Sequence, residues 1–235
     1  MRTKILAVMA KYPATGAVKT RLCPPLDLST AAALYFAFLR DMVQIAADVD
    51  CEERYLAVYP GELAVSLKAK LPSSMVCVPQ VGKNLGERML NLARQFLGDG
   101  CRIGSLDSVD VSSGRGRRLA IVGSDSPTLP VRYIDMAFDM LEGSDVVIGP
   151  SVDGGYYLIG MSKIHSEIFE GIPWGGDRVL ERTVEKAADA GLSETLLPEW
   201  YDVDTKDDLR RLGEELSRKE HVAPHTRAFL GNRNI

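Results

Sequence analysis

Residues 4–10, KILAVMA, form an apolar run without alternation, the pattern of a strand buried on both faces of a sheet. Runs of the same kind return at 54–60, 75–79, 118–125, 145–150 and 156–161, with a further strand candidate at 194–200. Between them the period changes. Over 29–49, Leu34, Phe38, Met42 and Ile45 share one stripe of a helix, with Ser29 placed to cap it; over 85–97, Leu85, Met89, Leu92 and Phe96 do the same. Further helical stretches cover 62–71, 131–143, 177–191 and 205–219. Pro130 and Gly143 bracket the second of these, Gly191 ends the third, and Thr205 with Asp208 opens the last as a capping box with aspartate in the glutamate slot. Strand and helix alternate. The pattern therefore predicts a single α/β domain over 1–219, with a mostly parallel central sheet, helices on both faces and right-handed crossovers. The Gly/Ser-rich stretch 98–118 breaks the rhythm and reads as a surface insertion, because the strand after it resumes the pattern. Residues 220–235 show no clear period and read as a C-terminal tail.

Composition narrows the partners. The chain has 235 residues, 46% of them hydrophobic, enough for a substantial core. A net charge of −4 and a pI near 5.5 oppose a nucleic-acid or membrane-surface partner, since both need a basic field. Cys23, Cys51, Cys77 and Cys101 include no C-x-x-C pair, and His165, His221 and His225 lie far from them in sequence, so a zinc site is not expected. The first apolar stretch is too short for a signal peptide and no window approaches the ~18 apolar residues of a membrane span, so a reduced, cytoplasmic protein is expected.

In open α/β sheets ligands bind beyond the carboxyl ends of the strands, and the candidate residues collect there. AKYPATGAVKTRLCP (10–24) leaves the first strand carrying Lys11, Gly16, Lys19 and Arg21. Glycine lets a backbone approach phosphate closely, and Lys and Arg supply charge and forked donors; the same loop also reads as merely solvated. It is neither a Walker A sequence nor a G-x-G-x-x-G turn. Asp125 in GSDSPTLP (123–130) stands at a strand tip, where it can hold Mg²⁺ against phosphates or cap the next helix. Asp153-Gly154-Gly155 is a hairpin turn or a loop closing on an acceptor. Asp202 and Asp204 precede a helix, whose dipole they suit. Trp174 in IPWGGD (172–177) is a stacking surface or plain core.

Taken together and in this order, K-x-P-x-x-G-x-V-K-T-R-L (11–22), L-G-E-R-M (85–89), G-S-D-S-P (123–127), D-G-G-Y-Y-L-I-G (153–160), I-P-W (172–174) and D-V-D-T-x-x-D-L (202–209) resemble one family. It is the glycosyltransferase-like proteins related to 2-phospho-L-lactate guanylyltransferase, in the nucleotide-diphospho-sugar transferase superfamily with its Rossmann-like glycosyltransferase-A fold. The resemblance implies that Lys11, Gly16, Lys19 and Arg21 line a nucleotide phosphate loop. It implies Asp125 and Asp204 as ligands of Mg²⁺ or Mn²⁺, and Asp125 and Asp153 as catalytic; because Asp125 and Asp204 both sit just beyond a predicted strand at the same edge of the sheet, they are expected within a few ångströms of each other. Gly154, Gly155 and Trp174 would border the acceptor. The implied activity is metal-dependent transfer from a nucleotide-diphospho-sugar to a small-molecule acceptor. Two alternatives stay open: nucleotidyl transfer from an NTP to a phosphorylated acceptor with release of pyrophosphate, and nucleotide binding without chemistry. The L-x-x-G-x-G-T-R signature of sugar-nucleotide pyrophosphorylases is absent, and Pro24-Pro25 stands where those enzymes carry Pro-Lys.

Overall fold

The computed structural model describes residues 3–71, 74–98 and 116–232 of the chain. Seven strands, β1 (Thr3–Lys11), β2 (Glu53–Tyr59), β3 (Val76–Pro79), β4 (Arg117–Val122), β5 (Val146–Pro150), β6 (Tyr156–Met161) and β7 (Glu194–Leu196), form one sheet in the order β3-β2-β1-β4-β6-β5-β7. β1 pairs in parallel with β2 and β4, as β2 does with β3 and β5 with β7; β6 alone runs antiparallel, between β4 and β5. β1 lies inside the sheet, so both its faces are covered and Ile5 to Val8 are fully buried.

The helices are α1 (Leu28–Asp48), α2 (Ala64–Lys70), α3 (Leu85–Leu97), α4 (Val131–Met140), α5 (Val179–Asp189), α6 (Lys206–Arg218) and α7 (Pro224–Gly231). Alternate β1 residues feed opposite layers: Leu6 and Val8 pack with Leu39, Met42 and Phe138 of α1 and α4, while Ile5 and Ala7 pack with Met89 and Phe96 of α3. A third cluster joins Val18 and Leu22 to Leu34 and Phe38 of α1 and to Val203, Leu209 and Leu212. It pins the loop after β1 and the approach to α6 onto one helix.

Several expectations shift in detail. β4 stops at Val122, leaving 123–125 as a turn, and β7 spans three residues. α1 is capped by Asp27, not Ser29: the Asp27 carboxylate accepts the N–H groups of Ser29 and Thr30 at 2.8 and 2.9 Å, placing Ser29 inside the first turn. The stretch after 219 holds α7, too short at eight residues to declare a period. Its start is fixed by Asp41 of α1, which accepts the N–H groups of His225 and Thr226 at 2.9 and 2.8 Å. Most of the expected insertion, 99–115, lies outside the described residues, as does Cys101; Arg117 and Arg118 already belong to β4. Among the described residues, no helix is long and apolar enough to cross a membrane.

Candidate functional site

β1 and β4 are parallel neighbours, so their carboxyl ends reach the same edge of the sheet. Tyr35 of α1 locks the two tips together. Its buried hydroxyl accepts the Lys11 backbone N–H at 2.9 Å and shares a hydrogen bond with Ser124 Oγ at 2.8 Å; burial holds its pKa above the usual phenol range. The segment before α6 is sewn to the β4 tip. Val203 N–H donates to the Asp125 carbonyl at 2.9 Å, and Ser126 Oγ donates to the Asp202 carboxylate. The predicted capping box is present at the start of α6: Asp208 Oδ2 accepts the Thr205 N–H at 2.7 Å and the Asp204 N–H at 3.2 Å. Asp125 caps no helix, for α4 begins after Pro130 without a side-chain cap.

These ties bring three acidic side chains around one lysine. Lys19 Nζ lies 2.6 Å from Asp125 Oδ1 and 2.8 Å from Asp204 Oδ1; the Lys19 side chain is 4% exposed, against 41% and 39% for its partners. The Phe38 ring lies 5.8 Å from the ammonium. Burial works against the charged form, yet the two carboxylates outweigh it and hold the Lys19 pKa above the usual range. Asp204 is held below the usual carboxylate range: burial opposes this, but Lys19, then Arg21 and Lys11, prevail. Asp202 moves the other way, pushed up to about 7 by burial and then by the Asp125 charge. Lys19 itself has φ +51°, a left-handed conformation that costs a non-glycine residue roughly 1–2 kcal/mol. Burial of Val18 and Leu22 on either side holds it there.

A cavity of about 290 Å³ opens beside this cluster. Lys11, Lys19, Gln80, Arg88, Asp125 and Asp204 supply polar lining, and Met9, Met89 and Tyr156 apolar lining. Gln80 Nε2 donates to the Ala10 and Ala57 carbonyls at 3.1 and 2.7 Å, so what Gln80 offers a ligand is its acceptor oxygen. The Arg88 guanidinium stacks 4.0 Å from the Tyr59 ring centroid, and its Nε is buried without a partner. Gln80 lies in none of the sequence motifs, and Arg88 lies in L-G-E-R-M (85–89) without a role that the motif assigns. Their signals are slight: a polar residue directly after the VCVP strand, and an arginine in the first turn of the helix that faces the same edge.

Of the residues singled out in the sequence, the cavity gathers Lys11, Lys19, Asp125, Asp202 and Asp204. The others stand outside its lining. Gly16 is exposed at φ +79°. Arg21 is exposed, its charge reaching Asp204. Asp153 is exposed on the β5–β6 turn and accepts the Gly155 N–H at 3.0 Å. Gly154, at φ +85°, abuts Asp177: a Cβ there would sit 1.9 Å from the Asp177 carbonyl oxygen. Trp174 covers Gly86, where a Cβ would meet the indole at 2.4 Å, and stands edge-on to Tyr156 with ring centroids 6.4 Å apart. The 172–177 loop therefore spans from the start of α3 to the β5–β6 turn, with Tyr156 between it and the cavity.

Asp125 and Asp204 already share one cation, the Lys19 ammonium, and their hard oxygens suit Mg²⁺ or Mn²⁺. Among the described residues no group of three or more His, Cys, Asp or Glu side chains is arranged to hold a metal ion. The pair fits an ion that draws its remaining ligands from substrate and water.

Comparison with known proteins agrees with the fold. Residues 42–176 match the family DUF2064, described as "uncharacterized protein conserved in bacteria". A crystal structure from Desulfovibrio desulfuricans G20, provisionally assigned as a nucleotide-diphospho-sugar transferase, is 33% identical, with a TM-score of 0.85 over 100% of this chain and 96% of that one. 4-Diphosphocytidyl-2C-methyl-D-erythritol synthase is 9% identical, with a TM-score of 0.57 over 92% of this chain and 99% of its own. Molybdopterin-guanine dinucleotide biosynthesis protein A from Archaeoglobus fulgidus is 12% identical, with a TM-score of 0.57 over 92% and 100%. The last two likenesses are of fold. No curated protein matches the chain in sequence.

Proposed function

The chain belongs to the bacterial DUF2064 family, and from that premise we propose that it is a nucleotide-utilising transferase whose donor is a nucleotide-diphospho-sugar and whose acceptor is a small molecule. The observation that carries this reading is the Lys19 ammonium held between Asp125 and Asp204 at the rim of a cavity lined by further cations. A diphosphate needs that combination of fixed positive charge and carboxylates able to share a cation. The provisional assignment of the D. desulfuricans protein supports it.

In this reading Lys11, Lys19 and Arg21 meet the phosphates, and the Gly16 loop lets the backbone come close. Asp125 and Asp204 hold Mg²⁺ or Mn²⁺, which when bound neutralises the departing nucleoside diphosphate. Gln80 offers an acceptor to the base, and the Arg88–Tyr59 stack presents forked donors to an anionic group at the apolar end of the cavity. Asp153 takes the proton from the acceptor hydroxyl, with Gly154, Gly155 and Trp174 bordering that side.

One observation favours nucleotidyl transfer instead, and with it kinship to 2-phospho-L-lactate guanylyltransferase. Three cationic side chains, Lys11, Lys19 and Arg88, line the one cavity, an arrangement that could also serve the longer chain of a triphosphate. An acceptor phosphate would then attack the α-phosphorus of an NTP and pyrophosphate would leave.

A thermal-shift panel of NTPs and nucleotide-sugars, each with and without Mg²⁺ or Mn²⁺, tests both. A ligand at about 100 Kd adds about 2.7 kcal/mol of stability. Binding of a nucleotide-sugar with release of nucleoside diphosphate supports the first reading; pyrophosphate release from an NTP supports the second. Binding without turnover of either leaves a nucleotide-binding protein. No shift with any nucleotide overturns all three.

A further inference from the structure

We propose that Lys19 is a resident counter-ion, filling the place of a divalent metal in the free protein and giving it up when phosphate arrives to take the ammonium. The inference rests on the reading of Asp125 and Asp204 as metal ligands.

The ammonium bonds one oxygen of each carboxylate, 2.6 Å from Asp125 Oδ1 and 2.8 Å from Asp204 Oδ1. Mg²⁺ binds oxygen at about 2.0–2.1 Å, closer than an ammonium can come. A divalent ion on the same two oxygens would therefore lie within a few ångströms of Nζ, where the two cations repel each other and compete for the same lone pairs. Binding is exclusive: the metal enters only as the ammonium leaves.

Leaving is costly for Lys19 unless another anion receives it. The side chain is 4% exposed, with Phe38 beneath it, so a displaced ammonium without a partner would be a buried, unpaired charge. Phosphate oxygens in the adjoining cavity are such a partner. The backbone is suited to the exchange. Lys19 has φ +51°, off the favoured regions for a non-glycine residue, at the head of the 3₁₀ turn Thr20–Leu22. A residue held there by its neighbours has a more relaxed conformation within reach.

Metal and phosphate are then mutually dependent ligands. Metal alone must evict Lys19 with nothing to offer it, so the free protein resists metal by means of its own side chain. Removing the ammonium removes the competitor.

Mn²⁺ binding to the free protein, without nucleotide, followed by electron paramagnetic resonance, tests this. The parent protein is expected to bind Mn²⁺ weakly and Lys19→Met at least about tenfold more tightly, a coupling within the usual range between two sites. Should Lys19→Met not fold, Lys19→Gln, also without the charge, carries the same expectation. A neutral variant that binds Mn²⁺ no more tightly than the parent overturns the counter-ion role and leaves the metal reading intact. Adding Asp204→Asn to Lys19→Met should abolish the gain. If the gain survives, the ion sits elsewhere, and the assignment of Asp204 as a metal ligand falls together with the proposal.

Discussion

Val203 donates its backbone N–H to the carbonyl oxygen of Asp125 at 2.9 Å. This bond places two acidic segments, distant in sequence, beside one another without using either carboxylate. The carboxylates remain for Lys19, so the position of the site and its charge are set by different atoms.

That separation makes Asp125→Asn informative. The backbone bond survives, and Asn keeps an oxygen for Lys19, so a stability loss of only about 1–2 kcal/mol is expected. On the proposed reading nucleotide affinity in Mg²⁺ should fall far more than stability, because the variant would lack one of the two charged oxygens offered to the metal. Calorimetric titration beside thermal unfolding separates the two. Equal nucleotide affinity in parent and variant would mean that Asp125 has no part in binding.

The Trp174 loop rests on an absent side chain. Gly86→Ala places a Cβ 2.4 Å from the indole, on a ring rather than a flexible chain end. Overpacking of this kind costs about 1–3 kcal/mol. The variant is expected to unfold at lower temperature with a changed tryptophan fluorescence maximum. Trp174→Ala removes the obstacle, so the double variant should lose less than the sum of the single losses. Strict additivity of the two substitutions would contradict the contact.

Arg88 is a test of stacking as much as of charge. Its guanidinium lies 4.0 Å from the Tyr59 ring centroid. Lysine keeps the charge but loses the planar fork and the stack. Arg88→Lys should raise the Kd of the bound nucleotide or acceptor about tenfold, the scale of one charge-assisted hydrogen bond, with little change in melting temperature. A variant that binds like the parent removes Arg88 from the site.

Glu215 predicts an acid-sensitive joint behind the cluster. Its carboxylate accepts from Thr128 at 3.0 Å, Tyr201 at 2.5 Å and Lys219 at 2.7 Å. Burial opposes ionisation, but the bonds from Lys219, Tyr201 and Thr128 hold the pKa below its ordinary 4.5. A carboxyl lowered on folding stabilises the native state fully above its ordinary value and loses that contribution as pH falls through the folded value. Glu215→Gln should therefore cost roughly 1–2 kcal/mol at neutral pH, and the gap to the parent should close in acid. Chemical denaturation of parent and variant at pH 7 and at stepwise lower pH, to the lowest at which the parent stays folded, measures it; a gap that stays constant as pH falls refutes the assignment.

The sequence shows most clearly what local pattern dictates. The unalternating run 4–10 announces a strand covered on both faces, and β1 is that strand. Thr205 and Asp208 announce a capping box three residues apart, and the box forms. Asp153-Gly154-Gly155 announces a turn between two strands, and β5 and β6 pair across it. Less legible are features that depend on distant partners. Nothing near Lys19 in the chain says that its ammonium will lie between Asp125 and Asp204, because both arrive through the order of strands and the Val203 bond. Asp41, on a helix stripe of otherwise apolar residues, gives no hint that it fixes the start of α7, whose eight residues are too few to show a period. Asp27 prevails over Ser29 as the cap because its carboxylate reaches two backbone N–H groups at once, a difference that proximity to the apolar stripe does not rank.

The reversed direction of β6 has a consequence for how such a chain can change over generations. Because β6 returns against β4 and β5, the 151–155 turn hangs at the edge where Lys11 and Asp125 stand, although it belongs to a hairpin and not to a crossover. A hairpin turn can lengthen, shorten or exchange residues while the ladder on either side keeps its register. Apart from Gly154, whose place against Asp177 admits no Cβ, that turn is thereby open to variation at small cost to folding, whereas the opposite side, where Lys19 contacts both Asp125 and Asp204, can change only if several residues change together.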